Sequence, residues 1–594
     1  MMLITNKQVY ESFIRGAHHV IERKEVLNKI NVFPVRDGDT GSNLSSMMRS
    51  IIEMAENKVS VKTTLESVAD AALYGARGNS GIIFAQYFRG LSESIEGDEA
   101  ISMNDFAAAC RCAAKYAYDA IENPVEGTMI TVMREWGNVL TAECKRHTSL
   151  TEIFRNALNQ VEIALERTKE QMPILKKANV VDSGAKGFTY FIEGAIYYLM
   201  NGEVLPQRAD EEEVIFELPE DSIHANADEY RYCTECLIEG SQIDPENIKE
   251  WLHGMGNSVV VAGSPKKCKV HVHTDDPSTV FEYLYHKGNI IYQKVDDMVR
   301  QEAIVNHRKY NIALVTDSIA DLPKEWIDEE QIHVVHLDII YKNHTYLDKL
   351  TIQPQQILKK CAEGKELPTS SQPGPKTVEN LLDYLTNYYE SIIILTVSKE
   401  LSGTYNSFVN GMKNQSVAGH KISLINTKQN SGAQGLLVKK CADLIASGME
   451  HNEIVKEIER LTNHTKILVQ VRNIEHMIRS GRLSVKAGKI AKMVGMKPII
   501  TLDEQGKGTL DGVAFSIRGS SSKLIRHIRK VCMTDQIESY SIVHVNNLQA
   551  AENLGQVMMQ LIGFSPSYIC ETSSIIAISA GDGAIAVSYL LKRR

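Results

Sequence analysis

The residues of this 594-residue chain whose types and spacing point most directly to chemistry lie at 31–43, NVFPVRDGDTGSN. Two carboxylates, Asp37 and Asp39, stand one residue apart in a turn that also holds Gly38 and Gly41. Glycine permits tight or left-handed backbone there, so alternating acids can aim at one point. Hard oxygen ligands at one point suit Mg2+. The backbone N–H groups of Thr40, Gly41 and Ser42 then stand ready for phosphate oxygens. Such a loop is expected to be the metal–phosphate centre of an ATP-dependent phosphotransferase. A solvated Asp-Gly turn has the same spacing, and so short a pattern leaves both readings open.

Three further glycine-rich stretches could join it: GARGNSG at 75–81, PVEGTM at 124–129 and DSGAKG at 182–187. Each precedes a helix-like apolar run, and the N–H groups of a helix start favour an anion such as phosphate. Any one of them could be a simple helix cap. Four in one region are harder to dismiss, and none is a Walker A loop. The region that carries them, 1–200, reads as helical. Apolar positions recur at three- and four-residue spacing in 9–21, 107–121, 129–140 and 153–165, with no strand run. Helices packed side by side with a site at one end are expected.

A second constellation lies further on, in RYCTEC (231–236) and KVHVHT (269–274). Predicted strands at 232–238, 258–262 and 268–273, with a helix at 245–255, make a small α/β unit. His271 and His273 share a strand face, which suits zinc. Cys233 and Cys236 point to opposite faces of a regular strand, so only one can join the histidines unless a bulge intervenes. Buried strand histidines with satisfied hydrogen bonds remain the alternative. After residue 308, predicted strands at 312–316, 392–397, 422–425, 467–471, 542–545 and 575–578 alternate with helices. This argues for two lobes of parallel or mixed sheet with helices on their faces. Hydroxyl-rich loops at 316–318, 369–373 and 398–404, with arginines at 479–484 and at Arg518, suit an anionic head group near strand C-terminal ends.

Composition bounds the setting. Hydrophobic residues at 43% and charged residues at 23% are ordinary for a globular protein. A net charge of -9 argues against a nucleic-acid partner or a general anionic-membrane surface. Ten cysteines diluted through the chain fit a reduced, cytoplasmic location. The start carries no signal-like apolar core, and the most apolar long stretch, 187–200, is interrupted by Glu193 and too short to span a bilayer. Membrane contact is expected to be peripheral at most. An acidic stretch with Pro206 and Pro219 reads as a linker, giving predicted regions 1–202, 203–229 (linker), 230–307 and 308–594.

The motifs INVFPVRDGDTGSN, GARGNSG, PVEGTM and DSGAKGF, in that order, resemble the ATP-binding subunit of dihydroxyacetone kinases (the DhaL family). More closely, they resemble the catalytic subunit of bacterial fatty acid kinases. The resemblance implies an all-α barrel of antiparallel helices with ATP and Mg2+ at one rim. Asp37 and Asp39 would hold the metal, with Asn31 nearest the place of a third, upstream aspartate. Thr40, Gly41, Ser42, Asn43, Asn79, Ser80 and Gly81 would hold phosphates. Thr128, Met129, Asp182, Ser183, Gly184 and Ala185 would lie near the nucleoside. RYCTE and KVHVHT are similar to the middle domain of the same family, which implies Cys233, His271 and His273 as zinc ligands.

VTDSIADLP, PTSSQPGP, LSGTY and GRLS resemble the DegV family of fatty-acid-binding proteins over residues 310–594. This implies a two-lobed α/β fold that buries an acyl chain, with Ser370, Ser402 and Arg482 on its carboxylate and Arg518 as a further contact. Where that family carries a HxGPG motif, this chain has Ser579-Ala580-Gly581-Asp582-Gly583, so Ser579 replaces the histidine. The multidomain protein so expected phosphorylates the carboxylate of a fatty acid held in its own fused carrier, giving ADP and an acyl phosphate for phospholipid synthesis. A separate acyltransferase or acyl carrier is the expected further partner, and the family likeness implies a homodimer. The alternatives are a dihydroxyacetone-type kinase and a lipid-binding regulator with an inactive kinase module.

Overall fold

The computed structural model describes residues 3–32, 38–96, 99–147, 149–203, 205, 230–363, 366–413, 419–472, 477 and 497–592. They fall into two compact units, Met1–Met298 and Val299–Arg594. Asp37, Arg482 and nearly all of the expected linker lie outside the described residues.

The first unit opens with helices α1 (Asn6–Glu22), α2 (Lys24–Lys29), α3 (Thr40–Met54), α4 (Val61–Gly75) and α5 (Gly78–Glu93). It continues with α6 (Met103–Asp119), α7 (Met129–Arg146), α8 (Leu150–Gln171), α9 (Pro173–Ala178) and α10 (Ser183–Asn201). Start signals are local: Thr5 and Gln8 form a reciprocal capping box on α1, and Ser60 with Thr63 does the same on α4. α1 packs on α3, and packing then runs through α4, α5, α6, α7 and α8. α10 returns to α8, α7 and α1, so the helices close into a ring. Its interior is aromatic: Phe84 stacks on Phe88 at 4.8 Å, and Phe13, Phe188 and Phe191 meet them edge-on or tilted at 5.1–5.4 Å. One element was not expected. β1 (Leu3–Thr5) pairs antiparallel with β2 (Ala100–Ser102). Three residues per strand are too few for an alternating pattern to register in sequence.

The rest of this unit is an antiparallel sheet in the order β4-β5-β3-β6, from β3 (Tyr232–Glu239), β4 (Asn257–Gly263), β5 (Lys267–Thr274) and β6 (Asn289–Asp297). α11 (Pro245–Leu252) packs on β4, and α12 (Pro277–Tyr285) on β3 and β6. Edge strand β4 is not left bare. Glu122 N–H donates to Val259 O (3.1 Å), Val261 N–H donates to Ala120 O (3.2 Å), and Gly263 N–H donates to Gln86 Oε1 (3.0 Å). Leu237, Val260 and Ala262 share one hydrophobic core with the helices.

In the second unit, four parallel strands lie in the order Lys421–Asn426, Ser391–Thr396, Ile312–Asp317, His333–Val335. A six-stranded mixed sheet runs Gly508–Ala514, Lys497–Leu502, Thr465–Gln470, Ile585–Leu591, Ile537–His544, Tyr568–Glu571. Helix Ser431–Ala446 is sandwiched between the two sheets: Ala433, Leu436 and Leu437 share a core with Leu314 and Ile393 of one and Val543 and Ala586 of the other. The α/β expectation holds. The strand expected at 575–578 does not, because those residues lie in helix Ser574–Ala580 and the strand is Ile585–Leu591. Ser573 caps that helix by accepting from Ile576 N–H, and burial on all sides hides its period. Its start is pinned by buried carboxylates: Asp321 accepts from Ser573 N–H (2.7 Å) and Asp348 from Ser574 N–H (2.8 Å), while Lys349 pairs with Asp321 at 2.9 Å. Among the described residues, no helix is long and apolar enough to cross a membrane.

A Cβ on Gly16 would lie 2.6 Å from Phe191 O, so α1 and α10 meet only because Gly16 has no side chain. Gly16→Leu is expected to destabilise the first unit by about 1–3 kcal/mol, read as a lower denaturant midpoint. Asp321→Ala strands Lys349 and Ser573 N–H, and should cost the second unit about 3 kcal/mol in the same measurement.

Candidate active site

Every glycine-rich stretch singled out in the first unit begins a helix rather than forming a free loop. Asp39 is the N-cap residue of α3, Arg77 of α5, Thr128 of α7 and Asp182 of α10. Thr40, Gly41, Ser42, Asn43, Asn79, Ser80, Gly81, Met129, Ser183, Gly184 and Ala185 are therefore first-turn residues. The four starts lie together. A Cβ on Gly78 would sit 2.7 Å from Asn43 Nδ2, and one on Gly184 would sit 2.9 Å from Met129 Cε and 3.1 Å from Ser80 Oγ. Gly78 itself holds φ +60°, a conformation that favours glycine.

A helix start carries unsatisfied N–H donors, and here several are already engaged. Ser42 N–H donates to Asn28 Oδ1 at 3.0 Å, and Gly81 N–H to Arg77 O at 3.2 Å. Ala185 N–H donates to Asp182 Oδ1 at 2.7 Å. The expectation that Ser42 offers its N–H to phosphate is thus corrected, because Asn28 takes it. First-turn donors not engaged in this way include those of Thr40, Gly41, Asn79 and Ser80. Burial pushes Asp182 up to about 6 against the lowering effect of N–H groups from Ala185 and Met129. Asn31 is buried beyond α2, its N–H donating to Asn28 O at 3.3 Å.

The sheet turns one face toward this rim. Adjacent strands set Cys233 between His273 and Asp296, then Glu235 between His271 and Lys294, then Leu237 between Lys269 and Tyr292. Cys233, His271 and His273 bring their ligand atoms within 4.8 Å of one another, with Cys233 Sγ 3.9 Å from His271 Nδ1. A thiolate with two imidazoles is a donor set that fits zinc. Cys236 is buried three residues away and is not part of the cluster.

Burial raises the Cys233 thiol well above its usual range, and the carboxylates of Glu235, Asp296 and Asp39 add to this against Lys294. Asp39 therefore lies within electrostatic reach of the cluster. Two residues here carried no sequence signal. Glu235, 1% exposed, accepts the N–H of Gly78 at 2.5 Å. Although burial alone would raise its carboxyl, His271, Lys269 and Lys294 outweigh that and hold it low. Lys269 is fully buried, its ammonium 3.9 Å from the Tyr292 ring centroid, and burial brings it down to about 8 against the raising effect of Glu235.

In the second unit an apolar cleft of about 900 Å³, open mouth included, lies between the two sheets. Ile319, Leu337, Val397 and Asn430, which follow the C-terminal ends of the parallel strands, line one side, and Ile467, Val543 and Ala586 the other. Ser402 and Ser579 both line it, as do Ser431 and Thr572. Ser402 Oγ lies 2.8 Å from Thr404 Oγ1. Ser370, on the short strand Thr369–Ser371, is not among the lining residues, and neither is Arg518, exposed in the first turn of helix Ile517–Thr534. Arg518 is set apart because the cap of that helix, Ser516, takes Gly519 N–H and leaves the arginine on the outer face. Sequence reasoning missed Arg472, whose guanidinium packs against Gly583 in the loop just after Ser579.

Residues 34–197 match the family model of the DAK2 domain, residues 229–305 that of the FakA-like middle domain of fatty acid kinase, and residues 311–592 that of the DegV family. The chain is 33% identical over 320 residues to an uncharacterised protein of Staphylococcus saprophyticus, covering 52% of this chain and 58% of that one. It is 32% identical over 313 residues to protein YloV of Bacillus subtilis, covering 50% and 56%. The chain thus spans less than two thirds of the length of these curated relatives. Among solved structures it is similar to a fatty-acid-binding DegV family protein from Thermus thermophilus, with 24% identity, a TM-score of 0.44, and coverage of 47% of this chain and 99% of that one. By these matches the first region of the chain belongs to the DAK2 family, its middle to the FakA-like middle-domain family of fatty acid kinases, and its last region to the DegV family.

Proposed function

We propose that the chain is a kinase fused to its substrate carrier, transferring the terminal phosphoryl group of ATP to the carboxylate of a fatty acid and giving ADP and an acyl phosphate. The observation that carries this reading is the presence in one polypeptide of an anion-seeking rim of helix starts beside acidic residues and of an apolar cleft with hydroxyls in its wall. In this reading residues 1–202 are the kinase region, 203–229 a linker, 230–307 the middle domain and 308–594 the carrier.

The chemistry fits the residues. A carboxylate acceptor is already ionised near neutral pH, its unperturbed pKa being about 4–5, so no general base is needed. The obstacle is the approach of two anions, and positioned N–H groups and cations are the remedy. Asp37 and Asp39 would hold Mg2+, which supplies charge neutralisation when bound. Thr40, Gly41, Asn79 and Ser80 would orient phosphates through backbone N–H groups, with Asn43 between α3 and α5. Met129 and Gly184, in van der Waals reach of each other, would bound the nucleoside side. Cys233, His271 and His273 would hold zinc. Ser402 and Ser579, in the wall of the cleft, would meet the acyl head group, with Ser370, Arg482 and Arg518 as further contacts. Arg472, beside Gly583, is a cation close to the position where the family histidine is replaced.

ADP release with and without oleate or palmitate tests the reading. Turnover is expected to depend on fatty acid and to fall at least about a hundredfold in Asp39→Ala and in Asp37→Ala. Turnover with dihydroxyacetone alone would overturn it in favour of the hydroxyketone kinase, and lipid bound without turnover would favour a regulator. Ala586→Phe, which fills the cleft, should abolish co-purifying lipid by mass spectrometry while leaving the affinity for a nonhydrolysable ATP analogue within about twofold.

A further inference from the structure

We infer that Glu235 is a positioning residue that couples metal binding at Cys233, His271 and His273 to the phosphate-facing start of α5. The coupling to phosphate rests on the kinase reading; the coupling to the helix start does not.

Glu235 occupies the middle of central strand β3 and is 1% exposed. Its Oε1 accepts the N–H of Gly78, 157 residues away in sequence, at 2.5 Å. The same oxygen lies 3.6 Å from His271 Nδ1, the ring atom that also faces the Cys233 thiol at 3.9 Å. Its Oε2, and Nε2 of His271, have no hydrogen-bond partner among the described residues. A buried carboxylate with an unused oxygen is costly unless something cationic or donating meets it. One carboxylate therefore serves two clients, a three-donor cation site and the first N–H of a 16-residue helix.

A divalent cation on the three donors would stand beside Glu235 and neutralise its charge. Carboxylates next to metal-binding histidines orient those ligands and tune the site. With Glu235 fixed, Gly78 and its left-handed turn are fixed too, and the N–H groups of Asn79 and Ser80 stay aimed. A neutralised carboxylate also repels an incoming phosphate less. Both effects have the same sign, so metal and phosphate should each strengthen the other's binding, and linkage requires the effect to be reciprocal. A carboxylate that merely caps α5 would hold Gly78 equally well with or without metal.

The full chain, stripped by a chelator and reloaded with zinc ion, tests this. Amide hydrogen exchange of residues 76–82 is expected to slow on zinc addition in the native chain and to be indifferent to zinc in Glu235→Ala. Glu235→Gln, which keeps a carbonyl oxygen for Gly78 but no charge, should restore the basal protection without its zinc dependence. Competition with a chromophoric chelator should show weaker zinc binding, on the order of tenfold, in both variants. Affinity for a nonhydrolysable ATP analogue should tighten on the order of tenfold with zinc in the native chain and less than twofold in Glu235→Ala. Exchange at 76–82 that ignores zinc in the native chain, or that still responds in Glu235→Ala, overturns the inference. If the native chain binds no nucleotide, the kinase reading fails while the exchange experiment still decides the role of Glu235.

Discussion

A helix start is a cluster of backbone donors that its own helix cannot satisfy, and four such starts meet at one end of the helical ring. That electrostatic demand shapes the first unit. Part of it is met from within: Asn28 takes one donor of α3, Asp182 takes one of its own helix, and Glu235 reaches across from the sheet to take one of α5. What is left unspent is a concave set of donors with acidic residues alongside, the arrangement that phosphate with a divalent cation would complete. The sheet belongs to this design rather than to a separate module. Its edge strand is paired by residues 120–122 and its apolar face joins the core of the ring.

The second unit solves a different problem. Its cleft must stay open although it is lined with groups that would gain by collapsing onto one another. Directional polar contacts hold the wall in place: Asp321 and Asp348 fix the start of the helix that carries Ile575, Ile576 and Ser579 into the cleft. Those carboxylates are fully buried, so they hold their position only while Lys349 and the N–H groups of Ser573 and Ser574 compensate them. The wall is thus rigid where it is polar and adaptable where it is aliphatic.

Much of this was legible in the sequence, and the boundary has a physical cause. Period and punctuation are local, so the helices at 103–119 and 150–171 and the strands through residues 312–317 and 391–396 could be read directly. The i, i+2 spacing of His271 and His273, with only one of Cys233 and Cys236 able to join them, is also local, and the cluster forms with Cys233 alone. What could not be read is pairing across distance. Nothing near Gly78 announces Glu235, nothing near Ser579 announces Arg472, and Asn28 looks like any helical asparagine until Ser42 is folded against it. The strand expected at 575–578 failed for a related reason. A short apolar run buried on every side has no visible period, and its helical state is decided by the cap at Ser573 and by the partners of Asp321 and Asp348.

The most direct measurement of the central claim is capture of the product. With ATP, Mg2+ and oleate, and hydroxylamine present to intercept an activated acyl group, mass spectrometry should find oleoyl hydroxamate accumulating in a one-to-one ratio with ADP. ADP formed without hydroxamate, or phosphate recovered on a small hydroxyketone instead, would contradict the account.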